Sequence, residues 1–305
     1  LHALSLAAAV ILVLRSNVDL SRTLERLSQS DPLLYILAFL VYYTSLPLRG
    51  LRWRLLLGNA GFQRNLHLPS LLGLTEILFL GWFGNCVVPA KLGDAYRAYL
   101  LRRNSPVSFP TALGTIMAEG IMDMAVIFLL LVGAVIAGLG LASGAVALWV
   151  LGAGFGLVLL LTVGLVVLYR FGGHIAVRLP SRLRPFYQNL QHGILSSLHR
   201  LPLLAFLSVL IWLAEAGRLF LVSRSLGFSL GVPLTLFVAL ASAILTLFPL
   251  TPAGLGLVEG GIVGLLVLAA FSKEDALSVA LLDRSISYWS IILFGAVLLV
   301  LSRKK

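Results

Sequence analysis

The chain has 305 residues, of which 59% are hydrophobic and 11% charged, with a net charge of +11. A mean hydropathy of +1.01 excludes a water-soluble globule of this size, so the expected solvent is a bilayer and the expected unit a single membrane domain over residues 1–305. The cations are scattered over many segments, which argues against nucleic acid as a partner and points to cytoplasmic loops and lipid heads.

Apolar runs fall at 1–14, 32–48, 69–88, 107–137, 145–169, 202–224, 233–250, 254–271 and 276–301. The first begins without an initiator Met, which suggests trimming. No small-residue cleavage site follows it, so it reads as an anchor helix rather than a signal peptide. The runs at 233–250 and 254–271 are joined by only Leu250-Thr251-Pro252-Ala253, so they form the limbs of one broken or re-entrant helix. Arginines at 49, 52, 54 and 64 mark 49–67 as cytoplasmic, and Lys91, Arg97, Arg102 and Arg103 mark 91–103 likewise. The run between them must then enter and leave on one side. The basic 170–200 stretch and the Arg303-Lys304-Lys305 end are placed inside by the same rule. The expected fold is an all-α polytopic membrane protein with about six full spans, two re-entrant or broken helices and both termini cytoplasmic. The basic 15–31 segment, placed outside, fits this scheme least well.

The string Pro-Ala-x-Leu-Gly occurs twice, at Pro89–Gly93 and Pro252–Gly256, each time inside an apolar stretch and each time followed by a carboxylate, Asp94 or Glu259. Proline removes an amide hydrogen and glycine frees the backbone, so both strings break a helix. The elements around them run in one order in residues 1–137 and again in 145–301. Three crossings per half make the second half inverted, the pattern of a site built at a repeat interface.

The first break is framed by Asn85, Pro89 and Gly93, with Lys91 and Arg97 beside a helix N-terminus that suits phosphate. A capped interfacial helix whose arginines snorkel to lipid heads uses the same parts. The second break comprises Pro249, Thr251, Pro252, Gly254 and Gly256, with Glu259 placed to complement a helix N-terminus or to bind a cation. Glu119 and Asp123, four apart on one helix face, need a shared cation or a proton, so ion-pair lock and proton coupling both stand. Glu215 with Arg218 reads as an internal pair, Glu76 has no evident partner, and Gly152-x-x-x-Gly156 and Gly260-x-x-x-Gly264 read as close helix packing. Cys86 stands alone, the five histidines show no metal spacing, and no nucleophile–base set, phosphate-binding glycine loop or ATP motif occurs. No metal, cofactor or catalytic residue is therefore expected.

Arg49-x-x-Arg52-Trp53, Asn85-x-x-x-Pro89-Ala90-Lys91-x-Gly93-Asp94-x-x-Arg97, Glu119-x-x-x-Asp123, Pro249-x-Thr251-Pro252-x-Gly254-x-Gly256-x-x-Glu259 and Arg284 follow one another along nearly the whole chain. In that order they resemble the membrane domain of the lysylphosphatidylglycerol synthase and flippase-like superfamily. The resemblance implies re-entrant helices and movement of an aminoacylated or other lipid between leaflets, and in some archaeal relatives a link to polyprenyl-linked sugar transfer. Gly120 departs from the family's usual Arg, so the local ion pairing must differ. The aminoacyl-transferase domain lies outside this sequence, so synthase activity is not carried over.

The expectation is an ATP-independent lipid translocase of the cell membrane, in which Lys91, Arg97, Arg284 and Arg52 hold a headgroup phosphate. Asp94, Glu119, Asp123 and Glu259 would tune charge or bind amines. The alternatives are an enzyme or accessory subunit in polyprenyl-linked sugar or lipid modification, and a scaffold with every charge locked in pairs. Membrane lipids, lipid-modifying enzymes and a second copy docked through the glycine faces are the expected partners.

Overall fold

A computed structural model describes residues 19–62, 68–138, 144–246 and 251–304, and every regular element among them is helical. In chain order these are α1 (Leu20–Ser28), α2 (Pro32–Asn59), α3 (Leu71–Val87), α4 (Leu92–Asn104), α5 (Phe109–Ile136), α6 (Gly144–Arg178), α7 (Arg184–Ser197), α8 (Leu201–Ser225) and α9 (Val232–Leu245). A 3₁₀ turn at Pro252–Gly254 then leads into α10 (Leu257–Leu268). The last span is α11 (Lys273–Arg284), a π-turn (Ser285–Trp289) and α12 (Ser290–Leu301). Five helical stretches, 32–59, 109–136, 151–178, 201–225 and 273–301, are long and apolar enough to cross a membrane. The expected crossing at 1–14 lies outside the described residues.

Local chemistry sets the starts. Asp31, Ser70, Ser108 and Ser272 each cap a helix by accepting backbone N–H groups of its first turn. Pro32 and Pro110 sit where their missing N–H costs nothing. The ends of α2 and α8 match closely. Gly61 (φ 94°) and Gly227 (φ 81°) take the left-handed conformation, and Phe62 N–H and Phe228 N–H reach back to the carbonyls of Leu57 and Ser223 at 3.0 and 2.9 Å.

α2 and α8 form the central pair and run antiparallel. Asp31 N–H at the start of α2 donates to the Ser225 carbonyl at the end of α8 (2.7 Å). The Asn59 amide at the other end of α2 donates to the carbonyls of Ser197 (2.9 Å) and His199 (2.6 Å), just before α8. The remaining helices pack around this pair in matched fashion. α2 touches α3 as α8 touches α9, α3 pairs with α4 as α9 with α10, and α4 lies on α5 as α10 lies on α11. Across the molecule, α5 packs on α7 and α9, while α11 packs on α1 and α12 on α3.

One expectation is corrected here. The apolar run that ends at 48 does not end the helix: α2 continues through residues 49–59, leaving Arg49 6% and Arg52 0% exposed. Hydropathy counts assign arginine to water, but carboxylates from other helices neutralise both side chains inside the bundle. Close packing expected at Gly152, Gly156, Gly260 and Gly264 is not seen among the described residues either, because a Cβ at any of them meets none of their atoms within 4 Å. The tight glycines are elsewhere. A Cβ on Gly93 would strike the Gly81 carbonyl and the Asn85 amide, and Gly114 and Gly193 let α5 and α7 touch backbone to backbone.

Candidate functional site

The two Pro-Ala-x-Leu-Gly strings adopt related conformations. Ala90 (φ 63°) and Ala253 (φ 44°), each following the proline, are both left-handed, and so are Lys91 (φ 53°), Gly254 (φ 72°) and Gly256 (φ 87°). For alanine that conformation costs about 1–2 kcal/mol, so surrounding contacts must hold each break open. At the first, Gly93 presses on α3 and Asn85 Nδ2 donates to Asp94 Oδ1 (3.0 Å). At the second, Gly256 N–H donates to Glu259 Oε2 (2.7 Å), and Glu259 Oε1 accepts from Arg284 Nε (2.8 Å). Arg284 also donates to the Ala253 carbonyl (3.1 Å). Pro249 lies outside the described residues.

Both breaks open onto one cavity of about 300 Å³ between the central pair and the last span of each half, lined by apolar as well as charged side chains. Asn85, Lys91, Asp94 and Arg97 line it from the first break, and Thr251, Ala253 and Arg284 from the second. Glu119, Asp123, Glu215, Asp283, Arg49 and Arg218 complete its charged wall. Gly120 faces the same space, and a Cβ there would meet nothing within 4 Å.

Most of these charges neutralise one another. Arg52 lies behind the wall, wholly buried, and donates to both oxygens of Asp123, to Glu119 Oε1 (2.8 Å) and to Ser208. It is the cation between Glu119 and Asp123 that their spacing demands. Glu119 Oε2 accepts from Arg97 (2.8 Å), whose guanidinium lies 3.8 Å from the Trp53 ring centre. Trp212 Nε1 donates to Asp123 (3.0 Å).

The second half repeats this with α8 and α11. Arg218 donates bidentately to Asp283 at 2.8 and 3.1 Å and also pairs with Glu215. Arg52 and Arg218 hold the same place, nine residues before Gly61 and Gly227. Arg49 and Glu215, twelve residues before those glycines, bond directly to each other at 2.8 Å. Arg49 is further flanked by Trp82 and Trp212, with ring centres 4.8 and 5.4 Å away.

Two ionised groups in the lining stand apart. Among the described residues Lys91 and Asp94 make no ion pair, while every other charged group of the lining makes one. Asn85, Ser242 and Thr251 belong to the same lining, and their buried Oδ1, Oγ and Oγ1 atoms find no hydrogen-bond partner among the described residues.

The structure thus brings together Lys91, Arg97, Arg284, Asp94, Glu119 and Asp123 around one space and sets Arg52 and Glu259 immediately behind it. Sequence reasoning passes over Arg49 and Ser242 as site residues, and gives Glu215 and Asp283 no site role. The equal distances of Arg49 and Glu215 from the two Gly-Phe helix ends are the signal that could have found the first pair. Glu76 has its partner at the far end of the chain, in the Ser302 hydroxyl. No three His, Cys, Asp or Glu side chains among the described residues converge as a metal cage.

The profile of the family described as "Lysylphosphatidylglycerol synthase TM region" matches residues 1–295. A UPF0104 membrane protein of Methanocaldococcus jannaschii is 34% identical over 219 residues, covering 71% of this chain and 92% of that one. A second, from Pyrococcus horikoshii, is 23% identical over 327 residues, covering 98% and 96%. The glycosyltransferase AglD of Haloferax volcanii is 30% identical over 141 residues, 46% of this chain but only 22% of that protein.

Proposed function

The chain belongs to the lysylphosphatidylglycerol synthase TM-region family, a family of multi-pass membrane proteins, and from that premise we propose that it is a lipid translocase. It moves a phospholipid or polyprenyl-phosphate-linked head between leaflets of the cell membrane without ATP, with both termini cytoplasmic. The reading rests on one observation: equivalent, antiparallel elements of the two halves enclose a single charged cavity. Such a cavity at the interface of inverted halves 1–137 and 145–301 is reached from one side or the other as the halves rock. The head occupies the polar space while the tails stay in the bilayer. The breaks gate it, and the ion pairs Arg97–Glu119 and Arg284–Glu259 join each gate to the following span.

The similarity to a glycosyltransferase favours a second reading, in which the domain presents a polyprenyl-linked sugar to an enzyme or modifies it. Translocation of tail-labelled lipids in proteoliposomes, read by dithionite quenching, separates the two. Wild type should exceed empty vesicles, and Arg97→Ala and Glu259→Ala should each slow it. If folded protein moves no lipid faster than empty vesicles, the translocase reading fails and sugar transfer from a polyprenyl phosphate becomes the assay to run.

A further inference from the structure

We infer that the two breaks are unequal gates. The first opens readily, the second is locked by Arg284, and Gly120 is the residue that leaves the first one free. The inference rests on the translocase reading for its purpose and adds which wall of the cavity moves.

The repeat supplies the comparison. Ser108 and Ser272 cap α5 and α11, and eleven residues on, Glu119 and Asp283 accept from the equivalent arginines Arg52 and Arg218, each at 2.8 Å. The next residue is Gly120 in one half and Arg284 in the other. Arg284 grips the second break at two points. It donates to the Ala253 carbonyl and to Glu259, and Glu259 in turn accepts from Gly256 N–H. The first half has no arginine at that place, and a Cβ on Gly120 meets nothing within 4 Å among the described residues. There α5 holds only the body of α4, through Glu119 and Arg97, while the Tyr288 hydroxyl holds the end of α3 through the Cys86 carbonyl (3.2 Å). Between these anchors, the side-chain bond that spans the break among the described residues is that of Asn85 with Asp94 (3.0 Å). Lys91 and Asp94 attract each other within one turn of α4 and so brace nothing across the break.

Burial and backbone agree with this. Val88, Ala90 and Leu92 are exposed, whereas Pro252, Gly254 and Leu255 are buried. Two successive residues other than glycine, Ala90 and Lys91, are left-handed at the first break, against Ala253 alone at the second. A segment with few buried contacts, a strained backbone and one bridging bond opens at the least cost. The second break opens only when a buried arginine gives up its carboxylate, which costs far more.

Cys86 provides the probe. It is the sole cysteine, 3% exposed, and lies just before the first break. Ser242, 4% exposed, lies on α9 before the second break and in the same lining. N-Ethylmaleimide labelling of the full chain in lipid vesicles is timed by mass spectrometry, and each rate is divided by that of the same thiol in dodecylsulfate. Cys86 should label about tenfold faster than the thiol that Ser242→Cys introduces into Cys86→Ser. Gly120→Arg should slow Cys86 about tenfold, the effect of one charge-assisted hydrogen bond made only in the closed form, and leave the Ser242→Cys thiol unaffected. Asp94→Ala should speed Cys86, and Arg284→Gln should speed the Ser242→Cys thiol. Circular dichroism confirms that each variant is folded, and Asp94→Ala decides if Gly120→Arg does not fold. Equal rates at the two thiols, or a Cys86 rate that no folded variant of Gly120 or Asp94 alters, overturn the assignment. The expected labelling in a protein that moves no lipid sinks the translocase while sparing the unequal gates. Lipid movement with equal labelling does the opposite.

Discussion

Replacing Arg52 by Met should expose how much the buried network holds. Arg52 is 0% exposed and donates to Asp123, Glu119 and Ser208. Met keeps the bulk and removes the charge. Glu119 retains Arg97, but Asp123 is left with the Trp212 N–H alone, so one carboxylate loses its counter-charge. Breaking a buried pair in this way costs about 3–5 kcal/mol, and the surviving Glu119–Arg97 bond argues for the lower end, about 3 kcal/mol. Arg52→Met combined with Asp123→Leu removes both charges and leaves the Trp212 N–H without its acceptor and the Ser208 oxygen without its donor. It should recover about 2 kcal/mol, a coupling within the range of residues sharing one network. Unfolding of the purified protein in dodecylmaltoside with rising dodecylsulfate, followed by tryptophan fluorescence, measures both variants. A single variant within about 0.5 kcal/mol of wild type would refute the reasoning. So would a double variant no more stable than the single one.

Two further outcomes follow from the same geometry. Gly93→Ala should destabilise by about 1–3 kcal/mol through collision with Gly81 and Asn85, while Gly120→Ala, with open space before it, should stay within about 0.5 kcal/mol in the same unfolding assay. Ala90→Gly and Ala253→Gly relieve left-handed alanines and should each raise stability by up to about 1 kcal/mol after glycine's own entropy cost; a loss in both would mean that the breaks are not strained.

The breaks are legible in the amino-acid sequence because their cause is local. Pro89, Pro252, Gly93 and Gly256 change the backbone by their own chemistry, and Asp31, Ser70, Ser108 and Ser272 likewise cap the helices that follow them. The apolar runs of 107–137 and 202–224 foretell Phe109–Ile136 and Leu201–Ser225 almost to the residue, since bilayer thickness sets that length. Hydropathy cuts α2 short at Arg49 because a charge scale values each arginine in water. Charge compensation between residues as distant as Arg49 and Glu215, or Arg218 and Asp283, is a property of the packed bundle.

The sequence by itself determined a membrane domain, its broken helices and the repeated order of its elements, because hydropathy, proline and glycine act within a few residues. Only the tertiary structure decided which ionised groups remain unspent. Antiparallel packing of α2 on α8 brings the carboxylates of one helix to the arginines of another, and that arrangement leaves Lys91 and Asp94 outside the ion pairs among the described residues.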